Sequence, residues 1–498
     1  EFRRVLFRSA QRGFEMKNDR HNGILYKNID NRSLSIIVFS LIFAWILSFP
    51  FEGQILYSLT EMFQIEPHRM VFGAIISHFA GLFLCGFFVK NIQAAKKTMF
   101  LSILLCILGS FVYFSKPGAP WQLTLILISF IAGICVAAWG FFLKKFTPKN
   151  ERIKTTADVL IYSNIIMIVL DMATVYISAY IGLLLSIAIL ALALLFVAKL
   201  PTVEANTEHQ ELPNDTKNAV SITKPLLLLY LFIVIITINS GLMYQVMNPA
   251  FSHLEWLTSW YWAIPYIVAL YIMRNLSRER NRTYILYIGI TMIGFSFITF
   301  AILDKSWQSY LVVDTLMLGA CGIYDLFWWS ILGEMLDFDE NPAKVFGIGL
   351  SANVLGVLLG GVIGNVINGA GRDISTMLLA LGVVCVTFTI LPLLHKYLSE
   401  ILSDHAYLTM VLSTPQEKRE MAVKNLIELG GLTEREEEIV ELLLAGKTYK
   451  TIGSELYISE NTVKTHVKKI YSKLNIRNRT ELINLMLEQH SAMRKESK

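Results

Sequence analysis

The chain has 498 residues, of which 54% are apolar and 17% charged, and its formal net charge is +5. A mean hydropathy of +0.51 excludes an ordinary soluble fold for most of the chain, because soluble domains expose far more polar surface. The composition therefore predicts a membrane protein.

The N-terminal leader comprises residues 1–33. Residues 1–15 precede Met16, and we expect them not to be native. The first apolar run, at 34–51, is long enough to cross a bilayer and has no small-residue cleavage site after it. We therefore expect a membrane span here and not a signal peptide.

Twelve apolar segments of spanning length follow one another along the chain. A soluble core could not cover so many apolar helices, so the bilayer must be their solvent. The fifth and sixth are separated by almost no loop. Their approximate limits are 34–51, 70–89, 98–114, 121–143, 158–178, 180–198, 225–247, 254–273, 283–303, 309–333, 345–369 and 376–395.

Lysine and arginine are unevenly distributed over the loops. Twenty lie in the leader after Met16 and in every second loop after it, and only four lie in the other loops. The positive-inside rule therefore places both termini on the cytoplasmic side of the membrane. The longest loop, at 199–224, is polar and divides the spans into two halves, 34–198 and 225–395.

This arrangement of six spans, a long cytoplasmic loop and six more spans resembles the major facilitator superfamily over roughly residues 30–396. The resemblance implies two pseudo-symmetric helical bundles. The loop after the second span, GFFVKNIQAAKK, keeps Gly86 and the basic residues of the family signature but lacks its Asp and later Gly. That departure favours sensing over active transport.

Carboxylates inside spans are costly and are therefore candidate functional groups. Asp171 lies in the fifth span and Asp314 in the tenth, where Asp325 also lies beside Tyr324, Trp328 and Trp329. The candidate site residues are Asp171, Asp314, Asp325, Tyr324 and Trp328. An acidic, aromatic patch between the halves could hold a cationic or aromatic small molecule, or a proton. Alternatively, the carboxylates bond to neighbouring helices and the aromatic rings lie at the membrane interface.

Span eleven carries glycines at GxxxG spacing, at Gly356, Gly360 and Gly364, which favours close contact with another helix. No motif of an enzyme, a cofactor site or a metal site is recognisable. The five cysteines lie in apolar stretches without a CxxC pair, so we expect no disulfide and no metal site.

The segment at 396–431 reads as a helical connector, and residues 432–491 as a small four-helix domain. Thr433 and Glu436 form a capping box for a first helix. A second helix runs from about 449 to 456, and Ser459 caps a third, at about 460–474. Asn475 is expected to adopt a left-handed conformation at the end of the third helix, and Thr480 to cap a fourth.

The third predicted helix has two distinct faces. Apolar residues at helical spacing pack inward, whereas Lys464, Thr465 and Lys468 remain outside. Between residues 447 and 480 the chain has eight basic and two acidic residues. An exposed basic helix after a tight turn suits the major groove of DNA, although a solvated basic surface helix is the alternative.

These residues resemble the LuxR-type (GerE-like) helix-turn-helix. The departures are Thr451, Gly453 and Asn475, where the family usually has Glu, Ala and Gly. The resemblance implies that Lys464, Thr465 and Lys468 face base edges, and it assigns phosphate contacts to Lys450, Ser459, Thr462, Lys469 and Lys473. The matching residues are Leu432, Thr433, Arg435, Glu436, Glu438, Gly446, Ile452, Leu456, Ser459, Thr462, Val463, His466, Lys473, Leu474 and Arg479.

Two functions fit this combination. The favoured hypothesis is a membrane-bound one-component transcription regulator that senses a small molecule or membrane signal and binds double-stranded promoter DNA. Contacts with membrane lipid and a homodimer formed through the last helix belong to this hypothesis. The alternative is a secondary transporter with an appended regulatory tail.

Overall fold

The computed structural model describes residues 30–202, 223–276, 282–337, 341–368 and 378–394, except positions 52 and 67. In the C-terminal part it describes 424–427, 430–444 and 449–476 together with positions 447, 481, 482 and 485. Most of the predicted leader, central loop and connector lies outside these residues. The described residues form helices and no strand, which confirms the all-α prediction.

Ten of the twelve predicted spans are helical stretches long and apolar enough to cross a membrane. The fifth and sixth are separate, since the chain turns at Ile177 and Ser178, and the Ser178 side chain accepts a hydrogen bond from the Tyr180 amide. The helices are Asn31–Ser48, Met70–Phe88, Ile92–Phe114, Ala119–Phe146, Arg152–Tyr176, Ala179–Lys199, Leu226–Ala250, Ile285–Ile302, Trp307–Met335 and Pro342–Val366.

The eighth and twelfth segments differ from this pattern. The eighth consists of two helices, Glu255–Tyr261 and Ala263–Asn275. The break follows from Pro265, which has no amide hydrogen to donate to the carbonyl of Tyr261. The twelfth is a shorter apolar helix, Leu378–Leu394.

Two further departures from a regular bundle were not predicted. A short helix, Gln54–Met62, follows the first span and buries Ile55, Leu56 and Leu59; its nine residues are too few to stand out in a search for spans. The seventh span loses its α-helical regularity at Met243–Met247, a π-helical turn that precedes Pro249.

The two halves pack against each other along two seams. Span eleven contacts spans two and four of the first half, and spans eight and ten contact span five. Polar bonds join the halves at the span ends that the loop charges assign to the cytoplasm. Arg152 forms a bidentate ion pair with Asp337, at 2.8 and 2.9 Å. Arg274 binds Asp158 at 2.5 Å.

Within the second half, span eleven packs closely on span seven through glycine. A Cβ atom at Gly360 would overlap the carbonyl oxygen of Ile238 and lie 2.9 Å from the Cα of Gly241. Gly356 faces the carbonyl of Val234 in the same way. The close contact predicted from the GxxxG spacing is confirmed.

We expect Gly360→Ala to destabilise the membrane part by about 1–3 kcal/mol, because the added methyl group forces two packed backbones apart. Unfolding of the detergent-solubilised protein measures this. Gly382→Ala is the matched control, since a Cβ atom there meets no heavy atom within 4 Å. Equal stability of the two variants would contradict the packing described here.

Candidate nucleic-acid interface and central cavity

The C-terminal part has a hydrophobic core of its own. Its helices are Glu434–Leu444, Tyr449–Glu455 and Glu460–Lys473. The first contributes buried apolar side chains on one face, the second contributes Ile452, and the third contributes Val463, Val467 and Ile470. This core fixes which face of the third helix is left to solvent.

The predicted caps are present. The Thr433 amide donates to Glu436 Oε2 at 3.0 Å, and the Glu436 amide donates to Thr433 Oγ1 at 3.4 Å, which is the reciprocal pattern of a capping box. Ser459 Oγ accepts from the Thr462 amide at 3.1 Å. Both predicted helix starts are confirmed.

The turn between the second and third helices is held tightly. Tyr457 adopts a left-handed conformation with φ 55° and is 96% exposed. Arg435 Nη2 donates to the carbonyl of Leu456 at 2.6 Å. A Cβ atom at Gly453 would lie 2.7 Å from the carbonyl oxygen of Ile458. The turn therefore approaches the backbone of Gly453 closely.

The third helix ends as predicted. Asn475 has φ 55°, and the Ile476 amide donates to the carbonyl of Tyr471 at 2.9 Å. This pair of features is a left-handed helix cap. The expectation for Asn475 is confirmed.

The outer face of the third helix is basic and open to solvent. Lys464, Thr465 and Lys468 are all exposed, as is Lys469. The Lys464 ammonium lies 2.7 Å from Glu460 Oε1, an exposed i,i+4 pair that contributes little in water. These side chains are therefore available to another charged surface.

Lys473 occupies a different environment. Its ammonium lies 2.6 Å from Oε2 of the buried Glu436 and 3.0 Å from the carbonyl oxygen of Gly431. Lys473 therefore connects the third helix to the start of the first, an ion pair that the sequence pattern did not reveal. Ser459 and Thr462 are exposed, whereas the Lys450 side chain and Thr480 lie outside the described residues.

The buried Glu436 carboxylate has a lowered pKa. Burial would raise its pKa, but hydrogen bonds from Lys473 and Thr433 outweigh that effect and hold the pKa below its ordinary value. The ionised form is thus part of the folded structure.

In the membrane part, a cavity of about 150 Å³ lies between the two halves. It borders the two irregular places in the second half, at Met243–Tyr244 and at Trp262. Its lining residues are Phe43, Ile46, Leu47, Phe51, His78, Leu82, Val136, Leu160, Asn164, Ser240, Met243, Tyr244, Trp262, Tyr266, Leu318, Cys321, Asp325, Trp329, Leu350, Asn353, Val354 and Val357.

Of the five membrane residues predicted from the sequence, Asp325 lines the cavity, where its Oδ2 accepts a hydrogen bond from Tyr266 at 2.8 Å. The other four are buried and absent from the lining of this cavity. Tyr324 donates to the carbonyl of Leu286 in span nine, and Asp314 is buried within span ten. The remaining two of these four buried residues are Asp171 and Trp328.

The aromatic side chain beside Asp325 in the cavity is Trp329, not Trp328 or Tyr324. Span ten lines the cavity with Leu318, Cys321, Asp325 and Trp329, which recur at helical spacing. Residues i and i+4 share a face of a helix. The sequence therefore did contain a signal for Trp329, whereas nothing in it identified Tyr266 on another span.

Comparison with known proteins matches residues 431–486 to the model of bacterial regulatory proteins of the luxR family. The chain is 46% identical to the spore germination protein GerE of Bacillus subtilis over 52 residues, which are 10% of this chain and 70% of GerE. It is 48% identical to the transcriptional regulatory protein LiaR of Bacillus subtilis over 58 residues, 12% of this chain. The chain spans 28% of LiaR and 28% of the uncharacterized regulatory protein YvfU of the same organism.

The larger part of the chain is similar in fold to solved transporter structures. The human organic anion transporter MFSD10 aligns with a TM-score of 0.55 and 14% identity, over 72% of this chain and 98% of that one. The fucose:proton symporter FucP of E. coli aligns with a TM-score of 0.51 and 14% identity, also over 72% and 98%. The multi-pass membrane part therefore has a major-facilitator-like fold.

Glu436 gives a pH prediction for a C-terminal fragment beginning at residue 424. Its pKa is depressed in the folded state, so the stabilisation is present above the ordinary value of 4.5 and is lost as the pH falls through the depressed value. Glu436→Gln should cost about 1 kcal/mol at neutral pH and flatten this dependence in chemical denaturation. The matched control is Glu441→Gln, at an exposed glutamate of the same helix. A pH profile of stability that Glu436→Gln leaves unaltered would count against the ion pair of Glu436 with Lys473.

Proposed function

Because this chain belongs, through its C-terminal domain, to the luxR family of bacterial regulatory proteins, we propose that it is a membrane-bound transcription regulator. In this proposal the membrane bundle senses a small molecule or membrane signal, and the tail binds promoter DNA. The observation that carries the proposal is the helix-turn-helix, with its open basic face, on the same chain as a major-facilitator-like bundle.

The proposed contacts with DNA follow from the third helix. Lys464, Thr465 and Lys468 approach base edges in the major groove. Base edges and phosphates replace Glu460 as partners of Lys464. The phosphate contacts are assigned to Lys450, Ser459, Thr462, Lys469 and Lys473, and Lys473 shares its ammonium with Glu436.

The proposed orientation places both termini on the cytoplasmic side of the bacterial inner membrane. The loop charges support it, and a domain that reads chromosomal DNA requires it. The proposal includes a homodimer formed through the last helix. The structure describes positions 481, 482 and 485 of that helix, and Leu482 is buried.

The proposed signal acts through the bundle. A ligand shifts the protein only by binding one of its conformations more tightly than another. A site between the two halves meets this condition, since its shape depends on how the halves are arranged.

Secondary transport is the second candidate function. The observation that favours it is the half-buried Asp325 in a cavity between two halves, since intramembrane carboxylates also carry protons and ions in transporters. The degenerate loop signature favours sensing instead.

Replacement of Lys464 and Lys468 by Ala together should abolish specific promoter binding, because each base contact contributes about 1–3 kcal/mol of discrimination. The measurement is a mobility shift of genomic fragments selected by the intact protein in nanodiscs. Lys424→Ala, at an exposed lysine outside the third helix, should retain binding. Unchanged specific binding by the double variant would refute the assigned recognition face.

Uptake of radiolabelled small amines into proteoliposomes separates sensor from transporter. We expect wild-type protein to give no more flux than empty liposomes or the Asp325→Asn variant. Robust flux that Asp325→Asn abolishes would establish the transporter instead.

A further inference from the structure

We propose that the central cavity binds a small aromatic amine in its protonated form, with Asp325 holding the ammonium group and the aromatic walls holding the ring. The inference names the ligand class of the site and rests on the proposed function only in treating this amine as the signal.

The charge of the site favours a cationic ligand. Asp325 is half-buried and accepts one hydrogen bond, from Tyr266. The described lining contains no lysine or arginine, and Nδ1 of its one histidine, His78, lies 3.1 Å from the carbonyl oxygen of Ser129. Among the described residues no ion pair includes Asp325. A carboxylate held away from bulk water requires a cationic partner to be stable in its charged form. The site therefore suits a cation and disfavours carboxylates and phosphates.

The aromatic walls of the cavity favour a ligand that carries a ring. Aromatic rings from four different spans or the turns beside them surround the cavity, contributed by Phe43, Phe51, Tyr244, Trp262 and Trp329. The face of an aromatic ring attracts an ammonium group, and offset or edge contacts between rings stabilise a bound aromatic group. A small inorganic cation would leave most of this apolar wall uncovered.

The volume of the cavity and the polar side chains that line it restrict the class of ligand further. A volume of about 150 Å³ accommodates a molecule of roughly the size of benzene. The Asn164 side-chain nitrogen donates to the carbonyl of Leu160 at 2.8 Å, so its amide oxygen remains as an acceptor. Asn353, on span eleven, also lines the cavity. These acceptors suit the hydrogens of a primary ammonium group.

The route to the site follows from the contacts between the halves. At the cytoplasmic span ends, Arg152 binds Asp337 and Arg274 binds Asp158 across the seams. Asn341 Nδ2 also donates to the carbonyl oxygens of Gly86 and Val89, at 2.6 and 3.0 Å. These contacts close the seams between the halves at that end of the spans, so we place the entry of the amine at the opposite span ends.

The test is calorimetric titration of the full chain in nanodiscs with benzylamine, without DNA. We expect saturable binding that is at least about tenfold weaker for benzyl alcohol, which has the same shape without the charge. Cyclohexylmethylamine, which keeps the charge but has no aromatic ring, should also bind more weakly. Absence of saturable benzylamine binding, or equal affinity for either analogue, would overturn the proposal.

Two variants assign the binding to this site. Asp325→Asn should weaken benzylamine binding at least about tenfold, whereas Asp314→Asn, at a buried carboxylate of the same span outside the cavity lining, should leave it unchanged. Unaltered affinity of a folded Asp325→Asn protein would refute the site. If benzylamine binds but never changes promoter occupancy, the sensing function fails while the site stands, so the two failures are distinguishable.

Discussion

Backbone groups inside a bilayer have no water with which to form hydrogen bonds, and this constraint governs the chain from residue 30 to residue 394. It produces long apolar helices, and it permits irregular backbone only where a cavity or a neighbouring helix accommodates it. The π-helical turn at Met243–Met247 and the break at Trp262 are such places, each near a proline, and both border the central cavity. Two irregular places of the second half therefore lie where we place the ligand.

The tail satisfies a different constraint, because it must keep one face of a short helix free. Its core is small, and specific polar bonds supplement it: the capping box at Thr433 and Glu436, the cap at Ser459, and the ion pair of Glu436 with Lys473. The capping box fixes the start of the first helix, and the other two bonds hold the third helix at its start and near its end. These bonds hold the helix that carries the basic face, and in the proposed complex this preorganisation reduces the entropic cost of binding DNA.

The sequence was most informative where local chemistry decides the structure. The capping box, the Ser459 cap, the left-handed Asn475 and the glycine contacts of span eleven all follow from residue type and spacing. The sequence was least informative where the rotation of a helix about its own axis, or a contact between distant residues, decides the structure. Periodicity gives the relative faces of one helix, but not which face meets the cavity, so Tyr266 was missed and Trp328 was chosen over Trp329. The pairing of Lys473 with Glu436 joins residues 37 positions apart, which no local pattern predicts.

The central claim is that a protein anchored in the membrane reads promoters. Chromatin immunoprecipitation of the intact protein, recovered from the membrane fraction of crosslinked cells, tests this claim most directly. The account predicts enrichment at discrete promoters that disappears when Lys464 and Lys468 are replaced together. Correct membrane insertion with no promoter enriched above untagged cells, across growth conditions, would contradict it.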